Sequence, residues 1–225
     1  MWRHSHFVGY AQTALKFGNT LATPQFVSIG AEAMPLQSIK PVGDDTSDNV
    51  TLQTLDAYGY TASNYLWVNW AGENGDQEAW VDDENFAIVE GVTFAPGAGL
   101  WITGSANTQS IQTAGAVGKS DVVVQLRFGN TAMGNPFPTE IDLQDIIPEG
   151  EDTSDNVALQ TLDAYGYTIS NYLWVNWAGE NGDQEAWVDD ENFAIVEGVT
   201  FAPGAGLWVT GSSDAQAIRF PAPEL

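Results

Sequence analysis

Thirty carboxylates, nine tryptophans and two histidines are the side chains of this 225-residue chain whose types could do chemistry. The carboxylates fall in clusters: DDTSDN at 44–49 and EDTSDN at 151–156, ENGDQE at 73–78 and 180–185, DDEN at 82–85 and 189–192. Calcium takes roughly six to eight oxygens from carboxylates, amide side chains and backbone carbonyls, and loops mixing Asp, Asn, Ser and Gly supply them. On that chemistry Asp45, Asp48, Asp76, Asp82 and Asp83 are candidate calcium ligands, with Asp152, Asp155, Asp183, Asp189 and Asp190 as their equivalents. No cluster has the D-x-[DN]-x-[DN]-G spacing of an EF-hand, and solvated charged loops are the competing reading.

Two acids at a set separation are also what a glycosidase needs, but thirty acids single out no pair. His4 and His6 make an H-x-H pair outside the repeated part of the chain, a weak metal signal. No G-x-S-x-G, H-E-x-x-H, P-loop or dinucleotide fingerprint occurs. With no cysteine there is no thiolate nucleophile, thiolate metal site or disulfide. The chain is therefore expected to be non-enzymatic, with calcium the one cofactor in view.

The tryptophans recur in register: Trp67, Trp70, Trp80 and Trp101, then Trp174, Trp177, Trp187 and Trp208. Exposed indoles beside Asp, Asn and Gln make platforms for sugar rings, whereas tryptophan alternating along strands packs a core or an interface. Tyr65, Trp67, Trp80 and Trp101, with Tyr172, Trp174, Trp187 and Trp208, are the candidate binding or interface residues.

These groups repeat because the chain does. Residues 45–105 lie over 152–212 with 58 of 61 positions identical, the differences being Thr51/Ala158, Ala62/Ile169 and Ile102/Val209. Upstream, LKFGNT at 15–20 matches LRFGNT at 126–131, and LQSIKPVGDD at 36–45 matches LQDIIPEGED at 143–152. Between Phe26 and Leu36 the first copy holds four residues more than the second does between Phe137 and Leu143, as a loop of different length would. Two modules follow, 1–118 and 119–225, joined through TAGAVGKSD, with 12 acids against 3 bases in the first and 18 against 3 in the second.

Runs such as FVGYAQTAL, VTLQTLDAYGY, NYLWVNW, VTFAPGAGLWITG and VVVQLRF are short, rich in β-branched and aromatic residues, and bounded by Gly, Asn, Asp and Pro. They predict an all-β chain of two antiparallel sandwiches or barrels in tandem. IDLQDI is the nearest approach to a helix, one or two turns at most. In NYLWVNW, Leu66, Val68 and Trp70 point to one face and Tyr65 and Trp67 to the other, so the strand is buried on both faces or shows aromatics to something. PGAG at 96–99 and 203–206 is a turn, with proline presetting the second position and glycine accepting positive φ at the third.

The formal charge of −24 repels nucleic-acid phosphates and anionic headgroups. No run approaches the roughly 18 apolar residues of a membrane span, and MWRHSHFVGY lacks the apolar stretch of a signal peptide. Aromatic, Gly, Asn and Thr enrichment with few lysines points to an extracellular or cell-surface location.

GNTAMGNPFPTEIDLQDI, YLWV and GVTFAPGAGLWVTG of the second module resemble tandem β-repeat modules of exported and cell-surface bacterial proteins. Those modules carry a G-N-P-[YF]-P-[ST]-x-I-D segment, a Y-x-W strand and a closing P-G-x-G-[FL]-[WF]-V strand. The first module departs from the pattern, with ATPQF where the second has GNPFP. The resemblance implies an extracellular β module and assigns no functional residue. β proteins of this kind associate by adding a strand to an exposed sheet edge. The leading expectation is a self-assembling filament or surface-layer subunit whose partner is itself. Its modules would stack head to tail, HFVGYAQTAL with Phe7, Val8 and Tyr10 being the donated strand. The alternative is a carbohydrate-binding or adhesive surface module.

Overall fold

The computed structural model describes residues 8–28, 31–72, 75–179 and 182–223, with side chains except at 71–72, 75–76, 178–179 and 182–183. Phe7 and the side chains of Asp76 and Asp183 fall outside the described part.

The turn-bounded β-branched and aromatic runs all become strands, and the chain is all-β. The first repeat forms β1 (Val8–Ala14), β2 (Gly18–Ala22), β3 (Met34–Pro35), β4 (Lys40–Val42), β5 (Thr51–Leu55), β6 (Thr61–Gly72), β7 (Gly75–Asp82), β8 (Thr93–Phe94), β9 (Leu100–Gly104) and β10 (Ser110–Ala116). The second forms β11 (Val122–Gln125), β12 (Gly129–Gly134), β13 (Ile141–Asp142), β14 (Ile147–Glu149), β15 (Ala158–Leu162), β16 (Thr168–Gly179), β17 (Gly182–Asp189), β18 (Thr200–Phe201), β19 (Gly206–Gly211) and β20 (Ala217–Phe220). IDLQDI supplies only a single 3-10 turn, Leu143–Asp145, matched by Leu36–Ser38. The joint is shorter than the sequence suggests, because β10 runs through Ala116 and leaves 117–121.

In the first repeat a three-stranded antiparallel sheet, β1-β10-β4, faces a five-stranded one, β2-β9-β5-β6-β7, with a β3-β8 pair beside them. The second repeat has the same orders, β11-β20-β14, β12-β19-β15-β16-β17 and β13-β18. The core lies between the sheets: Ile111 from one side meets Leu52, Trp67, Trp80 and Ile102 from the other. Ile218 and Phe220 likewise meet Leu159, Trp174, Trp187 and Val209.

Trp67 stands directly opposite Trp80 in the β6–β7 ladder, their rings edge to face at 5.4 Å and 65°. The buried Trp80 indole N–H donates to the Ile39 carbonyl at 2.6 Å. Trp174, Trp187 and Ile146 repeat this arrangement with the same distances. Leu66, Val68 and Val81 form a buried cluster on the opposite face of the hairpin, where Ile88 bridges Val81. The strand is thus buried on both faces until Trp70 emerges, 37% exposed.

The DDTSDN and EDTSDN loops turn on aspartates with positive φ, Asp45 (51°), Asp48 (61°), Asp152 (52°) and Asp155 (58°), a conformation that Asp tolerates better than most residues. A fully buried glutamine holds each loop. The Gln109 side-chain amide donates to the carbonyls of Asp44 and Asp45 at 3.0 and 2.9 Å, and its oxygen accepts the N–H groups of Ser105 and Ala106. Gln216 does the same for Glu151, Asp152 and Ser212. In the second repeat Asn135 of the GNPFP segment plays a comparable part, donating to the carbonyls of Thr139, Phe201 and Ala202 and accepting from Phe137 N–H.

Candidate functional site

β5 and β9 are interior strands, and their alternation sends Leu52, Leu100 and Ile102 into the core and Gln53 and Trp101 to the other side. Gln53 stands directly across from Trp101, and Gln160 across from Trp208. The turn after β5 is closed by hydrogen bonds: Asp56 Oδ1 accepts the N–H groups of Tyr58 and Tyr60 at 2.8 and 2.9 Å, and Asp56 N–H donates to the Tyr60 carbonyl. Asp163, Tyr165 and Tyr167 form its copy.

This turn is also the tooth by which the repeats engage. Ala57 carbonyl accepts Asn130 N–H at 2.9 Å, and Ala164 carbonyl accepts Asn19 N–H at 2.9 Å. Thr23 N–H donates to Gly204 carbonyl and Gly134 N–H to Gly97 carbonyl, both at 3.2 Å. Backbone bridges join Ala22 to Ala205 and Ala98 to Met133. Each contact recurs with the two repeats exchanged, so the interface has a pseudo-two-fold axis. The PGAG turns form as expected, with Gly97 and Gly204 at φ of 84° and 70°. They reach into the other repeat, Gly97 against Val122 and Val124 and Gly204 against Thr13 and Gln25.

On the axis lies a cleft of about 320 Å3, lined by five symmetry-related pairs: Gln53/Gln160, Leu55/Leu162, Gly59/Gly166, Thr61/Thr168 and Trp101/Trp208. The indoles cross over. A Cβ on Gly166 would stand 3.4 Å from Trp101, and one on Gly59 3.4 Å from Trp208. With φ of 82° and 85° these glycines also adopt a backbone that other residues rarely take.

The electrostatics of the lining are simple: among the described residues no charged side chain borders the cleft, in a chain whose formal charge is −24. Among the described residues, neither Trp101 nor Trp208 gives its indole N–H to a protein acceptor, unlike Trp80 and Trp187 in the core. The Gln53 amide oxygen takes only a long contact from Thr61, at 3.4 Å. The cleft therefore offers two aromatic faces, two amides and two hydroxyls.

No family model, curated protein or solved structure matches the chain.

Of the aromatic residues singled out in the sequence, the structure brings only Trp101 and Trp208 to this cleft. Trp67, Trp80, Trp174 and Trp187 are buried between the sheets, in line with the core packing that the sequence offered beside a binding role. Tyr65 and Tyr172 pack against the same cores.

The described candidate calcium ligands lie in and beside turns, several of them accepting hydrogen bonds within their own hairpin or loop. Asp82 Oδ1 accepts the N–H groups of Glu84 and Asn85 at 3.1 Å, and Asp83 accepts the Asn64 amide at 2.6 Å. Asp189 and Asp190 repeat these roles. Asp48 and Asp155 accept their neighbouring serine hydroxyls at 3.4 Å. Among the described residues no three acidic or histidine side chains gather to hold an ion.

The strand expected for donation pairs instead with β10 of its own chain, from Val8 opposite Ala116 to Ala14 opposite Ser110. It is an edge strand, with Val8 65% and Tyr10 60% exposed. Gln53, Leu55, Thr61 and their copies went unnoticed in the sequence. Their available signal was a glutamine beside the core leucine Leu52 of TLQTL, a few residues before a tyrosine-flanked glycine.

Proposed function

We propose that the protein is a non-enzymatic binding protein of the cell exterior that holds a neutral glycan in the cleft between its repeats. The supporting observation is that Trp101 and Trp208 line one cavity together with the Gln53, Gln160, Thr61 and Thr168 side chains. The C–H face of a pyranose is apolar and weakly electropositive, which suits the electron-rich face of an indole. Gln and Thr supply donors and acceptors for its hydroxyls. The volume falls at the lower end of the roughly 300–1,000 Å3 usual for small-ligand sites. A peptide strand fits less well, because β5 and β9 are interior strands whose backbone groups are already paired. Carboxylates and phosphates are disfavoured by the surrounding negative charge. The extracellular setting rests on composition and on the resemblance to exported β modules.

Titration calorimetry against neutral oligosaccharides, including cellohexaose, maltohexaose and triacetylchitotriose, is expected to give saturable binding by at least one. Silence across such a panel at millimolar sugar would refute the reading.

Self-assembly is a second reading, favoured by the outer edge of β1, which pairs with no further strand among the described residues. An exposed edge strand carrying Val8 and Tyr10 is a template for another chain. Head-to-tail stacking through the interface already present within the chain is not the route, because a two-fold interface closes on itself. Negative-stain microscopy of concentrated protein is expected to show filaments that Tyr10→Lys abolishes; uniform monomers of the unaltered chain would count against assembly.

A further inference from the structure

We infer that the duplicated chain has one ligand site rather than two, with both indoles on the same glycan molecule. The inference rests on the glycan reading above and adds the stoichiometry and the composite origin of the site. A sequence that repeats Trp101 as Trp208 and Gln53 as Gln160 suggests two copies of one site, one per module. The fold does otherwise. It turns the two Gln–Trp pairs towards each other across the pseudo-two-fold axis, and all ten lining residues border one continuous cavity.

Neither repeat can form this cavity alone. Trp101 of the first repeat lies against Gly166 of the second, and Trp208 lies against Gly59 of the first. Half of every wall therefore comes from the other half of the chain, and the closing bonds are the Asn19–Ala164 and Asn130–Ala57 pairs. A second ligand would have to share the same space of about 320 Å3.

The two-fold is broken beside the indoles. Leu21 stands opposite Trp101 where Ala132 stands opposite Trp208, and exposed Ile169 follows Thr168 where Ala62 follows Thr61. The two ends of the cleft therefore differ, as the two ends of a glycan do.

Calorimetric titration of the full chain with the neutral oligosaccharide that binds best in the panel above tests this directly. One ligand per chain is expected. Trp101→Ala and Trp208→Ala are each expected to weaken binding about 10- to 100-fold, the range for losing a central aromatic anchor. Trp101→Phe and Trp208→Phe, which keep an aromatic ring, should retain more of the affinity, with far-UV circular dichroism confirming that each variant is folded. Two ligands per chain would overturn the shared site and leave glycan binding standing. So would a single-tryptophan variant that keeps the original affinity while its stoichiometry falls from two to one. Absence of binding by every oligosaccharide would overturn both.

Discussion

Trp187→Ala is expected to lower the stability of the second repeat by about 3–5 kcal/mol, the range for truncating a large buried aromatic. The indole is fully buried, touches the Trp174 ring edge to face, and donates its N–H to Ile146 at 2.6 Å. Truncation leaves a cavity between the sheets, and it strands a carbonyl in the interior as well. Trp80→Ala should cost the first repeat as much, since ring contact and hydrogen bond are the same there. Trp70 provides the internal control. It lies three residues beyond Trp67 on the same strand but is 37% exposed and outside the core clusters, so Trp70→Ala should change stability by less than about 0.5–1 kcal/mol. Urea unfolding of the three variants measures all of this, and equal losses for Trp70 and Trp80 would show that the core has been misplaced.

That division among tryptophans marks where the sequence could be read and where it could not. Alternation along NYLWVNW and the turn residues around it are local signals, and they suffice for strands, antiparallel hairpins and an all-β chain. The PGAG turn was equally legible, because proline and glycine act through their own backbone preferences. Which indole is core and which lines a cleft depends on what stands opposite. Trp67 meets Trp80 by hairpin register, but Trp101 meets Gly166 only because the repeats pack about a two-fold axis. Nothing within either repeat encodes that pairing locally. The acidic loops were ambiguous for a related reason. Carboxylates that cap turns and carboxylates that hold calcium use the same residue types, and Gln109 and Gln216, which hold the loops together, lie 64 residues away from Asp45 and Asp152.

Because the cleft depends on how the repeats pack, the glycines at their contact are expected to matter more for binding than most residues that line it. A Cβ on Gly99 would collide with the backbone of Ala132 and Met133, and one on Gly206 with the Leu21 backbone. Backbone cannot rotate out of the way as a side chain can, so each alanine must push β12 or β2 outwards. That kind of overpacking costs about 1–3 kcal/mol per site. The two sites are related by the pseudo-two-fold axis, so Gly99→Ala with Gly206→Ala loads both sides of the interface together. The intact hydrophobic clusters of each repeat should keep their near-ultraviolet tryptophan signal, while small-angle scattering shows a larger radius of gyration and oligosaccharide binding falls away. Gly118→Ala is the matched control, since its Cβ would meet only a Phe137 ring atom at 3.9 Å. Unchanged scattering and unchanged binding in the double variant would mean that the repeats do not need this close approach, and the cleft would then lose its claim to be the site.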